Sequence, residues 1–341
     1  MRAPSSLAGR SRLCLAVAGL LAGLLAGCGR APTPLGAPLG DRLFGRVEVI
    51  GGRGSALGQF NKPRSVGVDS ADNLYVVDMT GRVQKFSPGG EFLLSWRMPE
   101  TDLGRPKGMT MDPEGRVVVI EPHYQRVNHF GPDGALAAQW GRAGTNRGEL
   151  VLPRAVAFNA RGDAYVSEYT VVDRVQWFRA GTREALGTFG RTGDGDGELN
   201  RPEGLDVAPD GRVYVADSGN HRIQVFSPEG RWLASYGRPG RGLGELSYPY
   251  DVRVDREGLQ YVCEFGGSRI QVFDRDHRPV AIIGGAGDRP GEFNNPWSLV
   301  LDSRGNLYVA DAGNHRVQKL IRRNRPGSAG GPPAPGPATG R

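Results

Sequence analysis

Between residues 204 and 236, hydrophobic and polar positions fall into four short runs. Residues 204–208 are the first, closed by the turn-forming Pro209-Asp210-Gly211-Arg212. Val213-Tyr214-Val215-Ala216-Asp217 is aromatic and β-branched and ends on an acid. Residues 221–226 follow Ser218-Gly219-Asn220, and residues 232–236 follow Ser227-Pro228-Glu229-Gly230. Runs of about five residues with β-rich or alternating character, punctuated by Gly-containing turns, specify strands joined by hairpins. A Gly-rich connection then leads to Gly244-Glu245-Leu246 and to Pro249.

The same order recurs six times. Pro63, Pro106, Pro153, Pro202, Pro249 and Pro296 are 43, 47, 49, 47 and 47 residues apart. The acids closing the second run, Asp78, Glu121, Glu168, Asp217, Glu264 and Asp311, keep the same spacing. Arg82, Arg126, Arg174, Arg222, Arg269 and Arg316 open the third run. No helical period lies between the strands, so a βαβ unit is excluded, and four strands per repeat of this length describe a propeller blade. The sequence predicts an all-β, six-bladed β-propeller of four-stranded antiparallel blades. The sixth unit stops after its third strand, near residue 321, and residues 46–51 form an unmatched strand before the first unit. That strand is expected to complete the last blade and close the ring, leaving no wide gap between exposed edges.

Residues 306–318 and 213–226 resemble NHL repeats, whose Asn-His-Leu segment stands here as Asn-His-Arg at 220–222 and 314–316. The resemblance covers residues 46 to about 321. Unit two departs most: it has Glu121-Pro122-His123-Tyr124-Gln125 in place of the Gly/Asn turn and lacks the Gly-Glu-Leu lead-in. The resemblance implies an interaction scaffold. It also brings in six-bladed relatives that are lactonases with a central divalent ion, metal-dependent amidoglycolate lyases or a lyase that opens cyclic antibiotics, and animal NHL proteins that meet nucleic acid.

The ends differ from this repeat. Arg2, Arg10 and Arg12 precede an apolar run of 14 residues, 13–26, too short to span a bilayer but of signal-peptide length. It ends Leu25-Ala26-Gly27-Cys28, which looks like a bacterial lipobox with Cys28 as the lipidated residue. The expected organisation is a lipoprotein signal peptide over 1–27, a Pro/Gly-rich tether over 28–44, the propeller over 45–325 and a disordered Pro/Gly-rich tail over 326–341. The protein is thus expected in a bacterial cell envelope as a lipid-anchored monomer, with Gly29 favouring the outer membrane. Only Cys263 remains within the propeller, which excludes an internal disulfide or a Cys-rich zinc site.

Charge narrows the partner. The chain carries a formal net charge of +7, and loss of residues 1–27 with their three arginines leaves +4, a mild excess that gives no case for nucleic acid. No nucleophile elbow, P-loop or His-Glu-x-x-His motif is present. The recurring acids and arginines answer a need of every blade and are expected to pair across the turn they flank; His221 and His315 follow the same logic. Cys263 takes the place of Ala216 and Ala310 and is expected to be a small buried residue.

Function is then sought where the repeat deviates. The residues after the six prolines, Arg64, Lys107, Arg154, Glu203, Tyr250 and Trp297, are expected beside the central channel. The turns between second and third strands open on the same face and add Glu121, His123, Tyr124, Glu168, Tyr169, Glu264 and Phe265. Arginine can grip a carboxylate or phosphate through two bonds, and Trp and Tyr supply apolar contact with a polar tip. The expected function is a non-enzymatic binding scaffold for a protein, anionic or carbohydrate ligand, with no catalytic residue and no cofactor. The alternatives are a metal-dependent lyase or lactonase with a divalent cation and, against the export signal and the mild charge, nucleic-acid binding. Among the candidate acids only Glu203 follows a proline, while His129 falls in a third strand and His277 in a loop, so the sequence offers no three-ligand set.

Overall fold

The computed structural model describes residues 42–323 and the two-residue strand Ala37–Pro38. The expected signal peptide, Cys28 and the 326–341 tail lie outside the described residues. The described chain is all β apart from three single turns of 3-10 helix.

Six antiparallel sheets follow one another in chain order, five of them built of consecutive strands. Blade 1 contains Pro63–Val68, Leu74–Asp78, Arg82–Phe86 and Phe92–Arg97. Blade 4, whose sequence is the most regular, contains Pro202–Val207, Val213–Asp217, Arg222–Phe226 and Trp232–Tyr236. Blade 6 contains Pro296–Leu301, Leu307–Asp311 and Arg316–Arg322, and the N-terminal strand Phe44–Ile50 completes it. Val47 lies opposite Leu320 and Val49 opposite Gln318. The predicted closure therefore holds, but the strand starts at Phe44. Phe44, assigned to the tether on sequence, is fully buried and meets Tyr261 edge-on at 6.4 Å. Ala37–Pro38 pairs with Val47 and Arg46 as a fifth strand of that blade.

The second strands are buried on both sides along their whole length, because each blade packs face to face against its neighbours. One apolar cluster joins Tyr75, Val77 and Val83 of blade 1 to Val117, Val119 and Phe130 of blade 2. Five of the six connections between blades carry an apolar plug, Phe60, Leu150, Leu199, Leu246 or Phe293, each with no exposed surface. The connection from blade 1 to blade 2, residues 98–107, lacks it and uses Met98. The inner strand of blade 2 is correspondingly short, Met109–Met111.

The repeated polar residues form a clamp on these connections. Arg222 donates through Nε to Asp217 at 2.7 Å and through Nη2 to the Gly195 and Glu198 carbonyls at 2.7 and 2.9 Å. Asp217 also accepts the Asn200 amide at 2.7 Å, and Gln224 accepts the Gly197 amide at 3.0 Å. The same set recurs around Asp311, Arg316 and Gln318. The acid–arginine pairing expected on sequence is present. Its amide partner, however, is mostly the incoming connection rather than the turn itself. His221 and His315 occupy left-handed positions at φ 57° and 56°, and their Nδ1 atoms accept the Tyr248 and Lys62 amides of the following blade at 3.2 Å. They are joints between blades. Cys263 is fully buried, as expected.

Candidate functional site

Five of the six inner strands start at their proline on one face of the ring and end at a turn on the other, and that of blade 2 starts at Met109, three residues after Pro106. The connections and the turns between second and third strands share the proline face. Leu43 and Arg323 meet at the opposite face, where the Arg323 amide donates to the Leu43 carbonyl at 2.9 Å.

All six post-proline residues, Arg64, Lys107, Arg154, Glu203, Tyr250 and Trp297, line one narrow pore mouth. The inner strands come close enough that two positions admit only glycine. A Cβ at Gly108 would lie 2.5 Å from the Arg154 carbonyl oxygen, and one at Gly204 would lie 2.3 Å from Asp251 Oδ1 and 2.8 Å from the Tyr250 carbonyl. The void left at the mouth is about 40 Å³, room for a few waters or one small polar group.

The mouth divides into two electrostatic halves. In one, Arg154 donates to Glu203 through Nε at 2.8 Å and through Nη2 to both carboxylate oxygens; the side chains are only 5% and 7% exposed. Tyr169 stacks on the Arg154 guanidinium at 4.2 Å. This charge pair is internally matched. In the other half, Arg64 and Lys107 lie 4.1 and 4.6 Å from the centroid of the Trp297 ring. Among the described residues neither cation pairs with a carboxylate. Arg64 Nε and Trp297 Nε1 are buried without a hydrogen-bond partner. Burial, reinforced by the Arg154 charge, pushes the Lys107 ammonium down to about 7 and Arg64 to about 10. Glu203 opposes both shifts and is outweighed. Tyr250 and Phe265 stack at 4.3 Å with 11° between their planes, and Phe265 continues the stack to Trp297 at 6.3 Å.

A second polar layer lies immediately below. Ser298 donates to Asp251 at 2.9 Å and its hydroxyl lies 3.2 Å from that of Ser65, while Arg253 pairs with Asp251 at 3.2 Å. Burial raises the Asp251 and Asp206 carboxyls against the lowering influence of Arg253. Sequence reasoning stopped at the first residue after each proline and missed this layer. A bulge after the proline breaks the two-residue alternation of a strand, so Asp251, one residue past the post-proline position, and Asp206 and Arg253, three past it, are not reached by counting in twos.

The turn residues behave differently from expectation. Glu121, Glu168 and Glu264 are buried parts of the clamp, not ligand-facing acids. Each pairs with its own arginine, Arg126, Arg174 or Arg269, at 2.6–2.7 Å. Their side chains point back into the blade because the second strand places them opposite the third. His123 and Tyr124 form a 3-10 turn that braces the irregular 98–107 connection: the Leu103 amide donates to the Tyr124 hydroxyl at 3.0 Å, and Gly104 packs on the His123 ring. Tyr169 and Phe265 do reach the mouth. Around it the proline face exposes Leu57, Leu103, Val171, Leu243 and Tyr248.

A larger groove of about 1080 Å³ lies on the opposite face, between blades 5, 6 and 1. Several of its charged groups hold the fold: Asp72 accepts the Ser303 amide and hydroxyl at 2.8 and 2.7 Å, and Lys319 donates to the Pro88 carbonyl at 2.7 Å. Among the described residues no three His, Cys, Asp or Glu side chains stand together as a set that could hold a metal ion.

Comparison with known proteins gives local sequence matches and a general likeness of fold. The NHL repeat family matches residues 199–226 and 293–320, which hold the first three strands of blades 4 and 6 with their lead-ins. Protein lin-41 of Caenorhabditis elegans is 51% identical over 47 residues, covering 14% of this chain and 4% of its own length. The E3 ubiquitin-protein ligase TRIM71 of Rattus norvegicus is 54% identical over 43 residues, covering 13% of this chain and 5% of its own. The chain thus spans only a small fraction of these relatives. Among solved structures, a gluconolactonase from Xanthomonas campestris superposes with a TM-score of 0.62 at 16% identity, covering 86% of this chain and 99% of that one. Virginiamycin B lyase from Staphylococcus aureus superposes with a TM-score of 0.54 at 13% identity, covering 76% and 80%. At these identities the likeness is one of fold.

Proposed function

We propose that this chain, an NHL-repeat six-bladed propeller, is a non-enzymatic binding module held at a bacterial cell envelope and that its proline face receives a segment of a protein partner. One observation carries the reading. The six side chains in which the blades differ most, one from each blade, meet at a single pore mouth, and exposed Leu103, Val171 and Tyr248 lie on the same face. A void of about 40 Å³ is far smaller than a pocket that encloses a small-molecule substrate. It suits the tip of one side chain inserted from a segment lying across the face.

The lipobox-like Leu25-Ala26-Gly27-Cys28 supports attachment through Cys28. Photo-crosslinking tests the face. A benzophenone side chain placed at Leu103, Val171 or Tyr248 is expected to trap a discrete partner in envelope preparations, and one placed at Val280 on a blade edge is not. Trapping at Val280 alone refutes the assignment. Cys28→Ser is expected to move the protein from the membrane to the soluble fraction, and a membrane-bound variant refutes the anchor.

A further inference from the structure

The chemistry of the mouth itself goes one step beyond the choice of face. Arg154 and Glu203 cancel each other in a closed pair. Arg64 and Lys107 do not cancel: two cations share one indole ring, and their charges are opposed by that ring and by Glu203, with Tyr169 and Tyr250 also acting on Arg64. Cation–π attraction is modest even at a partly buried site, whereas buried like charges want a counter-ion. The donors are also unused. The Arg64 side chain makes no hydrogen bond among the described residues, and its Nε and Trp297 Nε1 are buried and unsatisfied. A buried donor left without an acceptor is costly, and such exceptions to full pairing call for an explanation. The void beside them has room for one small polar group.

We propose that Arg64, Lys107 and Trp297 form a clamp for a single carboxylate, presented by an acidic side chain or C-terminus of the segment that the proline face receives. The planar guanidinium matches a planar carboxylate through paired N–H bonds, and the small void favours it over the bulkier phosphate. Lys107 adds charge, and the indole N–H adds a donor. The assignment rests on the proline-face reading for its occupant but not for its chemistry, which a small carboxylate probes on its own.

Lys107 also makes the clamp sensitive to pH. Arg64 faces it from blade 1, Arg154 from blade 3, Arg201 and Glu203 from blade 4 and Trp297 from blade 6. With its ammonium titrating near 7, the site carries two free positive charges below that pH and one above it. Carboxylate affinity therefore falls as pH rises through neutrality.

The test uses purified propeller with acetate, inorganic phosphate and chloride as probes at matched ionic strength, read by tryptophan fluorescence and thermal midpoint. Acetate is expected to give a saturable response at pH 6 that weakens several-fold by pH 8.5, with phosphate weaker and chloride unsaturable. Arg64→Gln is expected to weaken acetate at least tenfold. Lys107→Met is expected to remove the pH dependence, while the exposed-surface variant Arg278→Gln keeps both. Absence of a saturable acetate response in the folded wild-type protein overturns the clamp, as does tighter binding of phosphate or a pH profile unchanged in Lys107→Met. Either result leaves the crosslinking test of the face standing, so the two readings fail separately.

Discussion

Replacing Glu203 by Gln keeps the shape of the side chain and removes the only carboxylate among the six post-proline residues at the mouth. Arg154 is then left with an uncompensated charge at a side chain only 5% exposed, next to two cations that have no carboxylate of their own. Breaking a buried pair by removing one partner costs about 3–5 kcal/mol. The glutamine carbonyl still accepts one bond and Tyr169 still covers the guanidinium at 4.2 Å, so the lower end, about 3 kcal/mol, applies. For a domain of this size each kcal/mol moves the melting midpoint by about 2–4 °C, giving a fall of roughly 6–12 °C. Scanning calorimetry at low salt measures it. The companion variant, Arg154→Met with Glu203→Leu, removes both charges and is expected to recover most of the loss, because it is the orphaned charge that is expensive. A Glu203→Gln protein melting within about 1 °C of wild type would refute the reasoning. So would a double variant less stable than the single one.

Phe44→Ala should cost about 3–5 kcal/mol by opening a cavity in the closing blade, since Phe44 is fully buried against Tyr261; hydrogen exchange should show faster opening of Arg316–Arg322, and unchanged protection there would count against ring closure. Gly204→Ala should force the inner strands of blades 4 and 5 apart, since its Cβ falls 2.3 Å from Asp251 and 2.8 Å from the Tyr250 carbonyl; a stable variant with an unaltered mouth would show that the close approach is not required. Asp112 concerns acid stability. Burial pushes its carboxyl up, but the His129 and Arg116 hydrogen bonds overcome this and hold it at about 2. Its folded value lies below its unfolded one, so the stability it contributes, about 2 kcal/mol, is present above pH 4 and lost as pH falls through about 2. Asp112→Asn should be less stable near neutrality and flatter below pH 4, and a parallel pH profile in the two proteins would contradict the assignment.

Much of this molecule is legible along the chain because its contacts repeat. The proline, acid and arginine recur in step, so strand number, blade number and the convergence of Arg64, Lys107, Arg154, Glu203, Tyr250 and Trp297 all follow from alignment of the chain with itself. Deviations from the repeat were read less well. Glu121, Glu168 and Glu264 differ in length from Asp78, Asp217 and Asp311, yet each reaches the arginine of its own blade across the hairpin. Their longer side chains adjust the clamp and add nothing to the mouth. His129 gave no signal at all in the sequence. It is fully buried, with Nδ1 against Asp112 at 2.8 Å and Nε2 accepting the Trp140 indole N–H at 2.9 Å. Those partners are 17 and 11 residues away and belong to the irregular blade 2.

The sequence alone determined what is periodic: all-β character, six blades, closure by an N-terminal strand and the structural use of the shared acids and arginines. Each of these depends on contacts within a repeat or between equivalent positions of neighbouring repeats, and such contacts leave a regular trace in the chain. The tertiary structure decided what is paired across blades. Arg154 finds Glu203 49 residues on, and Asp251 finds Ser298 47 residues on. Arg64 and Lys107 reach Trp297 from the far end of the chain, where ring closure sets blade 6 beside blade 1. Three cations at a mouth look equivalent in the sequence. Only the folded ring shows that one is neutralised and two remain unpaired, because pairing depends on which inner strands the closed ring brings face to face.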